Sequence, residues 1–202
     1  MAEPVAADEA RRARVLDEFR EAGALLEGHF VLSSGRHSPV YLQCARVLMD
    51  PRRAARLVAM LVPALRGLDV AMTVAPALGG VVFGYELARQ LDLLALFVER
   101  VEGRFTLRRG FEIPPGTRVL VAEDVVTTGL STRECIAAVR EAGGEVVAAT
   151  CLVDRSGGRA EVGVPLIPLL RLDLPTYAPD EVPPELAAIP PRKPGSRGLR
   201  AR

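Results

Sequence analysis

Lysine is almost missing from this chain: Lys193 is the single one, against 25 arginines in 202 residues. An anion clamp in the folded body must therefore use arginine or backbone N–H groups. Histidine is nearly as scarce, with only His29 and His37, and neither has company at metal-ligand spacing. Cys44, Cys135 and Cys151 show neither metal-site nor CxxC spacing, and three is a poor count for a disulfide framework. No apolar secretory leader opens the chain, since its first residues carry charge. The best apolar run, residues 93–98, is strand-sized and too short for a bilayer. These absences predict a cytoplasmic protein with no membrane partner.

Net charge is only +1, which leaves no whole-chain case for a nucleic-acid partner. The basic excess gathers at the end. Arg192, Lys193, Arg197, Arg200 and Arg202 stand in residues 190–202 without an acid, and the rest of the chain sums to −4 (21 basic, 25 acidic). A Pro- and Arg-rich tail over 179–202 reads as a mobile terminus more readily than as an anion-binding arm.

What is present is a globular core. Hydrophobic residues make up 49%, which excludes disorder, and the length suits one α/β domain, placed at residues 1–178. Helical spacing is found at 8–24, with Val15, Leu16 and Phe19 on one face, and at 81–91. A further helix over 51–65 has Asp50 as cap and Pro51 in its first turn. Another opens at Ser131 and is closed by Gly143-Gly144. Strands are expected at 29–32, 41–44, 70–75, 93–98, 118–123, 145–153 and 166–170. This alternation predicts an α/β fold, a mostly parallel sheet flanked by helices, with a small amino-terminal hood over about 8–45. Ligands in such sheets bind beyond the carboxyl ends of strands. Three loops belong there: 75–80, 99–110 and 123–132.

The third loop carries the chemistry. Val121-Ala-Glu-Asp-Val-Val-Thr-Thr-Gly-Leu130 brings two adjacent carboxylates, Glu123 and Asp124, to the end of a strand. Thr127, Thr128 and Gly129 then lead into a helix start at Leu130 and Ser131. Unpaired N–H groups at a helix amino terminus bind phosphate. Glycine lets the backbone approach closely, and hydroxyls add donors. The carboxylates cannot face a phosphate but can accept hydrogen bonds from two sugar hydroxyls. Together these features make a holder for a phosphorylated ribose. A solvated strand end followed by an ordinary turn explains each part singly but not the combination. The Gly-Lys-Ser/Thr core of a nucleotide-triphosphate loop is absent.

The other two loops are weaker signals. Gly79-Gly80 stands in a strand-to-helix turn at such a strand end, or merely permits close packing. The stretch 99–110 holds Arg100, Arg104, Arg108 and Arg109, with Gly103 and Gly110 as candidate hinges. It reads as a lid over an anionic group such as pyrophosphate, or as a solvated hairpin.

On the run at 119–132 the chain resembles the type I phosphoribosyltransferases, and within them the members that act on orotate. Four more segments resemble that group: Gly28 to Pro39 with Tyr41 (the hood and base-binding turn), Pro76 to Gly80 (the pyrophosphate loop), Glu99 to Phe111 (the mobile catalytic loop) and Asp154-Arg155. The ending Lys193-Pro-Gly-Ser-Arg197 is similar too. The resemblance implies transfer of a phosphoribosyl group from phosphoribosyl pyrophosphate to orotate, with Mg²⁺ bound mainly through the substrate's pyrophosphate, in a homodimer. It implies Arg100, Glu123 and Asp124 as catalytic residues. Val125, Val126, Thr127, Thr128, Gly129, Leu130 and Ser131 would hold the 5′-phosphate, and Arg155, Thr127 and Tyr41 the orotate. The mobile loop here has neither lysine nor histidine, and Ser33 and Leu78 stand where many members have lysine. Arginine stays protonated, so Mg²⁺ and arginine charge would carry the leaving group. Two other functions share the ribose-phosphate run: transfer to a purine base, against which Arg155 argues, and a non-catalytic regulator that senses phosphoribosyl pyrophosphate, for which no helix-turn-helix is seen.

Overall fold

The computed structural model describes residues 3–32 and 35–193. Helix α1 (Glu3–Glu21) leads into an antiparallel hairpin of β1 (Leu25–Val31) and β2 (His37–Leu42). The expected face of α1 is the buried one: Val15 and Phe19 are fully enclosed and Leu16 packs beside them. Burying a side chain of that size contributes about 1.5–3 kcal/mol, enough to dock the helix on the hood. A short helix, α2 (Cys44–Leu48), follows, and the strand expected over 41–44 ends at Leu42. Gln43 gives it no side-chain cap, so only the burial of Cys44, Val47 and Leu48 holds it in place. Helix α3 (Pro51–Leu65) has the predicted bounds, and the Asp50 carboxylate accepts from the N–H groups of Arg52 and Arg53.

Then come β3 (Met72–Pro76), α4 (Gly79–Leu91), β4 (Leu94–Val101), β5 (Arg104–Leu107), β6 (Arg118–Val126), α5 (Leu130–Glu141), β7 (Glu145–Asp154), β8 (Leu166–Arg171) and α6 (Pro184–Ala187). Six strands form one sheet in the order β5-β4-β3-β6-β7-β8. All neighbours are parallel except β5, which runs antiparallel to β4. Side chains of β6 alternate between the two faces: Leu120 and Ala122 join the core under α1 to α4, while Val119 and Val121 join the core under α5.

The region 99–110 is a hairpin. β4 continues three residues past Val98, and Glu102 (φ 49°) with Gly103 (φ 84°) reverses the chain into β5. Two consecutive positive φ angles match the twist of a two-residue hairpin. Phe105 is buried against α5, so the hairpin docks rather than hanging free.

The chain end returns to the hood. Tyr177 pairs with His37 and Arg192 with Phe30. His29 Nδ1 is hydrogen-bonded to the Ile189 carbonyl at 2.9 Å, and His29 Nε2 to His37 Nδ1 at 2.5 Å. Both histidines thus tie strands to the carboxyl-terminal segment. Ser33, and residues 194–197 of the ending quoted above, lie outside the described residues, as does most of the basic tail.

Candidate active site at the carboxyl ends of the strands

β6 runs through the acidic pair to Val126 because β7 pairs with it as far as Asp154. Glu123 and Asp124 therefore sit inside the sheet's edge rather than in a loop. Glu123 is only 6% exposed. Burial, then the neighbouring Asp124 charge, pushes its carboxyl up to about 9. Burial also raises Asp124, opposed by the Val125 N–H, which donates to its Oδ1 at 2.9 Å. The Asp124 charge opposes ionisation of Glu123, so burial and the neighbouring carboxyl both favour a protonated Glu123. Glu123 lies within electrostatic reach of Cys135 on α5, and Asp124 of Cys44 and Tyr41 in the hood.

The start of α4 borders the same pair. A Cβ on Gly79 would stand 2.8 Å from Asp124 Oδ1, so a side chain there would displace the carboxylate. The Ala77–Leu78 peptide in this turn is cis. Gly79 begins α4 two residues before the expected start, and Leu78 is 85% exposed.

Thr127, Thr128, Leu130 and Ser131 are exposed around a buried Gly129 that begins α5 in the left-handed conformation, φ 74°. The first-turn N–H groups of α5, Leu130 to Thr132, have no intrahelical acceptors by the geometry of the helix. Gly129 is required twice over: its φ suits glycine, and a Cβ would lie 2.8 Å from Val162 Cγ1. The turn is held from behind. Arg133 Nη1 donates to the carbonyls of Thr128 and Glu161, at 3.0 and 2.7 Å.

Arg155 follows the end of β7, its N–H donating to the Val126 carbonyl at 2.8 Å. Its side-chain Nε is buried with no hydrogen-bond partner, and burial lowers its pKa. Tyr41, raised by burial, lies within electrostatic reach of it. The fully buried Asp154 sets this loop. Its carboxylate accepts from Ser156 N–H at 2.8 Å and Ser156 Oγ at 2.6 Å, and Ser156 Oγ accepts from Ala160 N–H at 2.8 Å. The structure thus gathers Glu123, Asp124, the 125–131 turn, Arg155 and Tyr41 around one end of the sheet.

Arg100 is placed differently. Its guanidinium pairs with Glu134 of α5, donates to the Gly103 carbonyl at 2.7 Å and lies 4.2 Å above the Phe105 ring. Arg109 forms a two-bond pair with Glu99, both at 2.8 Å, and Arg104 faces Glu141 at 3.5 Å. Arg133, Glu134 and Ser156 escaped the sequence reading. Their one signal was position, just inside the helix start or just after Arg155.

The phosphoribosyl transferase domain family matches residues 68–165. An orotate phosphoribosyltransferase of Rhizorhabdus wittichii is 62% identical over 191 residues, 93% of this chain and 97% of that protein. A crystal structure of orotate phosphoribosyltransferase from Aeropyrum pernix superposes with a TM-score of 0.63 at 32% identity, over 76% of this chain and 91% of that one. The Mycobacterium tuberculosis H37Rv orotate phosphoribosyltransferase in complex with phosphoribosyl pyrophosphate matches with a TM-score of 0.66 at 28% identity, over 80% and 96%.

Proposed function

This chain belongs to the orotate phosphoribosyltransferases, and from that membership we propose how its own residues divide the reaction. The enzyme transfers the phosphoribosyl group of phosphoribosyl pyrophosphate to orotate, giving orotidine 5′-phosphate and pyrophosphate for pyrimidine nucleotide synthesis. The bond from C1′ to pyrophosphate breaks as a ring nitrogen of orotate bonds to C1′, and the nitrogen's proton passes to water or the departing pyrophosphate. Positive charge builds on the ribose and negative charge on the leaving group.

Residues 125–131 receive the 5′-phosphate through the N–H groups at the start of α5, with the Thr127, Thr128 and Ser131 hydroxyls beside them. Glu123 and Asp124 accept hydrogen bonds from the ribose hydroxyls. Negative charge on the pair favours the cationic ring. No covalent nucleophile is needed, since orotate itself attacks. Arg155 receives the orotate carboxylate, Tyr41 and the exposed Thr127 flank the base, and Arg100 receives the pyrophosphate.

One observation carries the base assignment. The Arg155 Nε is buried without a partner, an arrangement that costs free energy until an acceptor arrives. A carboxylate answers that donor with charge-assisted hydrogen bonds, and a neutral purine does not. The test is a spectrophotometric assay with orotate, uracil, adenine and hypoxanthine. Arg155→Ala is expected to lose at least about 30-fold in kcat/KM for orotate, since truncating one side of a buried charged pair costs about 2–5 kcal/mol. Equal turnover of orotate by wild type and variant, or turnover of a purine, would sink the assignment. Absence of any turnover together with tight phosphoribosyl pyrophosphate binding would favour the sensing regulator.

Mg²⁺ fits as an ion that arrives with the substrate. Among the described residues no group of three or more His, Cys, Asp or Glu side chains is placed to hold a metal. Pyrophosphate oxygens and water would supply most ligands, with Glu123 and Asp124 nearest on the protein side. When bound, the ion neutralises the departing pyrophosphate.

A homodimer is supported by an apolar stripe on the outer face of α4. Leu78, Val82 and Tyr85 are 85%, 50% and 66% exposed at helical spacing, and α2, ending beside Met49 at 79% exposure, packs against α4. A stripe of this kind marks an interface. Tyr85→Glu is expected to shift the sedimentation coefficient from dimer to monomer; an unchanged dimer would refute that face. A single domain at 1–178 is supported by the hydrophobic core that the hood shares with the six-stranded sheet, and the described part of the tail lies against the hood. No described helix is long and apolar enough to cross a membrane.

A further inference from the structure

The arginine given to pyrophosphate is already occupied. Arg100 has three attachments, to the Glu134 carboxylate, the Gly103 carbonyl and the Phe105 ring face. Two of the three belong to its own hairpin and move with it. Only Glu134 belongs to α5, in the turn of helix directly after the Leu130 to Thr132 N–H groups. A carboxylate there has a field that opposes the anion those N–H groups attract.

We propose that Glu134 is a positioning residue that holds Arg100 in reserve against α5 until the substrate's pyrophosphate displaces it. The proposal rests on the reading of Arg100 as the pyrophosphate ligand and names the competitor for that arginine. Chemistry makes the exchange feasible in one direction. The side chains of Arg100 and Glu134 are 39% and 36% exposed, so water screens their attraction and the pair is weak. Pyrophosphate offers more charge and more acceptor oxygens, in a geometry that the guanidinium fork matches. The exchange leaves charge balanced: Arg100 trades one anion for another, and Glu134 returns to solvent. In a chain without lysine in this loop, Arg100 is held at the turn next to the phosphate cradle rather than left to sample solvent. The same contact must break before it can act. Glu134 thus sets both where Arg100 waits and how tightly substrate must bind to recruit it.

The test is a double-mutant cycle read by calorimetric titration of phosphoribosyl pyrophosphate with Mg²⁺, alongside steady-state kinetics and thermal unfolding. Glu134→Gln keeps the shape and removes the charge. It is expected to tighten phosphoribosyl pyrophosphate binding about threefold, the scale of a half-exposed ion pair. The KM for orotate and the Tm should stay at their wild-type values, a split that a merely structural residue would not give. Glu134→Asp, which keeps the charge, should bind like wild type. In an Arg100→Ala background the gain from Glu134→Gln should vanish. Binding that is unchanged or weaker in Glu134→Gln overturns the proposal. So does a gain that persists undiminished without Arg100, because it would then be a plain field effect of the carboxylate. Arg100→Ala binding phosphoribosyl pyrophosphate like wild type is a different failure: it removes the reading of Arg100 itself, and the proposal with it.

Discussion

Replacing Glu123 by glutamine should make the free protein more stable while disabling it, and the pH dependence of that gain is specific. Glu123 is 6% exposed, and its carboxyl is raised from 4.5 to about 9, first by burial and then by Asp124. The folded pKa lies above the unfolded one, so the native state binds a proton that the unfolded chain releases between those values. The group's contribution is complete below about 4.5 and is lost as pH rises toward about 9. Each pH unit inside that window costs about 1.4 kcal/mol. Between pH 5 and pH 7 the wild-type unfolding free energy should therefore fall by roughly 2–3 kcal/mol on account of this side chain.

Glutamine cannot ionise, keeps nearly the same shape and can donate to Asp124. The assay is urea unfolding of both proteins at pH 5, 6, 7 and 8, with midpoint and slope fitted together. The difference between variant and wild type should widen by roughly 2–3 kcal/mol from pH 5 to pH 7. Working with the difference removes the carboxylates with lowered pKa, Glu18, Glu86, Glu99 and Asp173, which act at lower pH in both proteins. Parallel curves across the range would show Glu123 ionised in the free enzyme and would refute its raised carboxyl.

Gly129→Ala is expected to weaken phosphoribosyl pyrophosphate binding at least tenfold, because the new Cβ meets Val162 Cγ1 at 2.8 Å on a backbone with φ 74°. An unchanged Kd would mean that the turn is not the phosphate cradle. Asp50→Ala removes two hydrogen bonds at the start of α3 and should cost about 1 kcal/mol, lowering Tm by a few degrees with kcat intact. A loss of kcat there would link α3 to the site in a way the geometry does not.

Much of this architecture was legible locally. Helix α3 has the predicted bounds because both of its signals, the Asp50 cap and Pro51, act within a few residues. The run from Val121 to Ser131 was legible because it combines residue types that strand, turn and helix start each require. Other elements were hidden. The hairpin turn places Glu102 at φ 49°, a conformation that sequence rules reserve for glycine or asparagine, so the long connection concealed β5 and the last three residues of β4. Helix α2 has no capping residue and exists because Cys44, Val47 and Leu48 fill the hood core. β6 was expected to stop at Glu123; pairing with β7 carries it three residues further.

The sequence alone determined the inventory: two adjacent carboxylates at a strand end, a hydroxyl and glycine turn, an arginine after β7 and arginines in place of lysines. Spacing along the chain decides these, since a turn or a helix start is made by neighbours. The tertiary structure decided the state of each group. It raised the Glu123 and Asp124 carboxyls by burial, left the buried Arg155 Nε without a hydrogen-bond partner and tied Arg100 to Glu134. Those outcomes come from desolvation and from contacts between residues as far apart as Tyr41 and Arg155, and the packed chain alone brings them about.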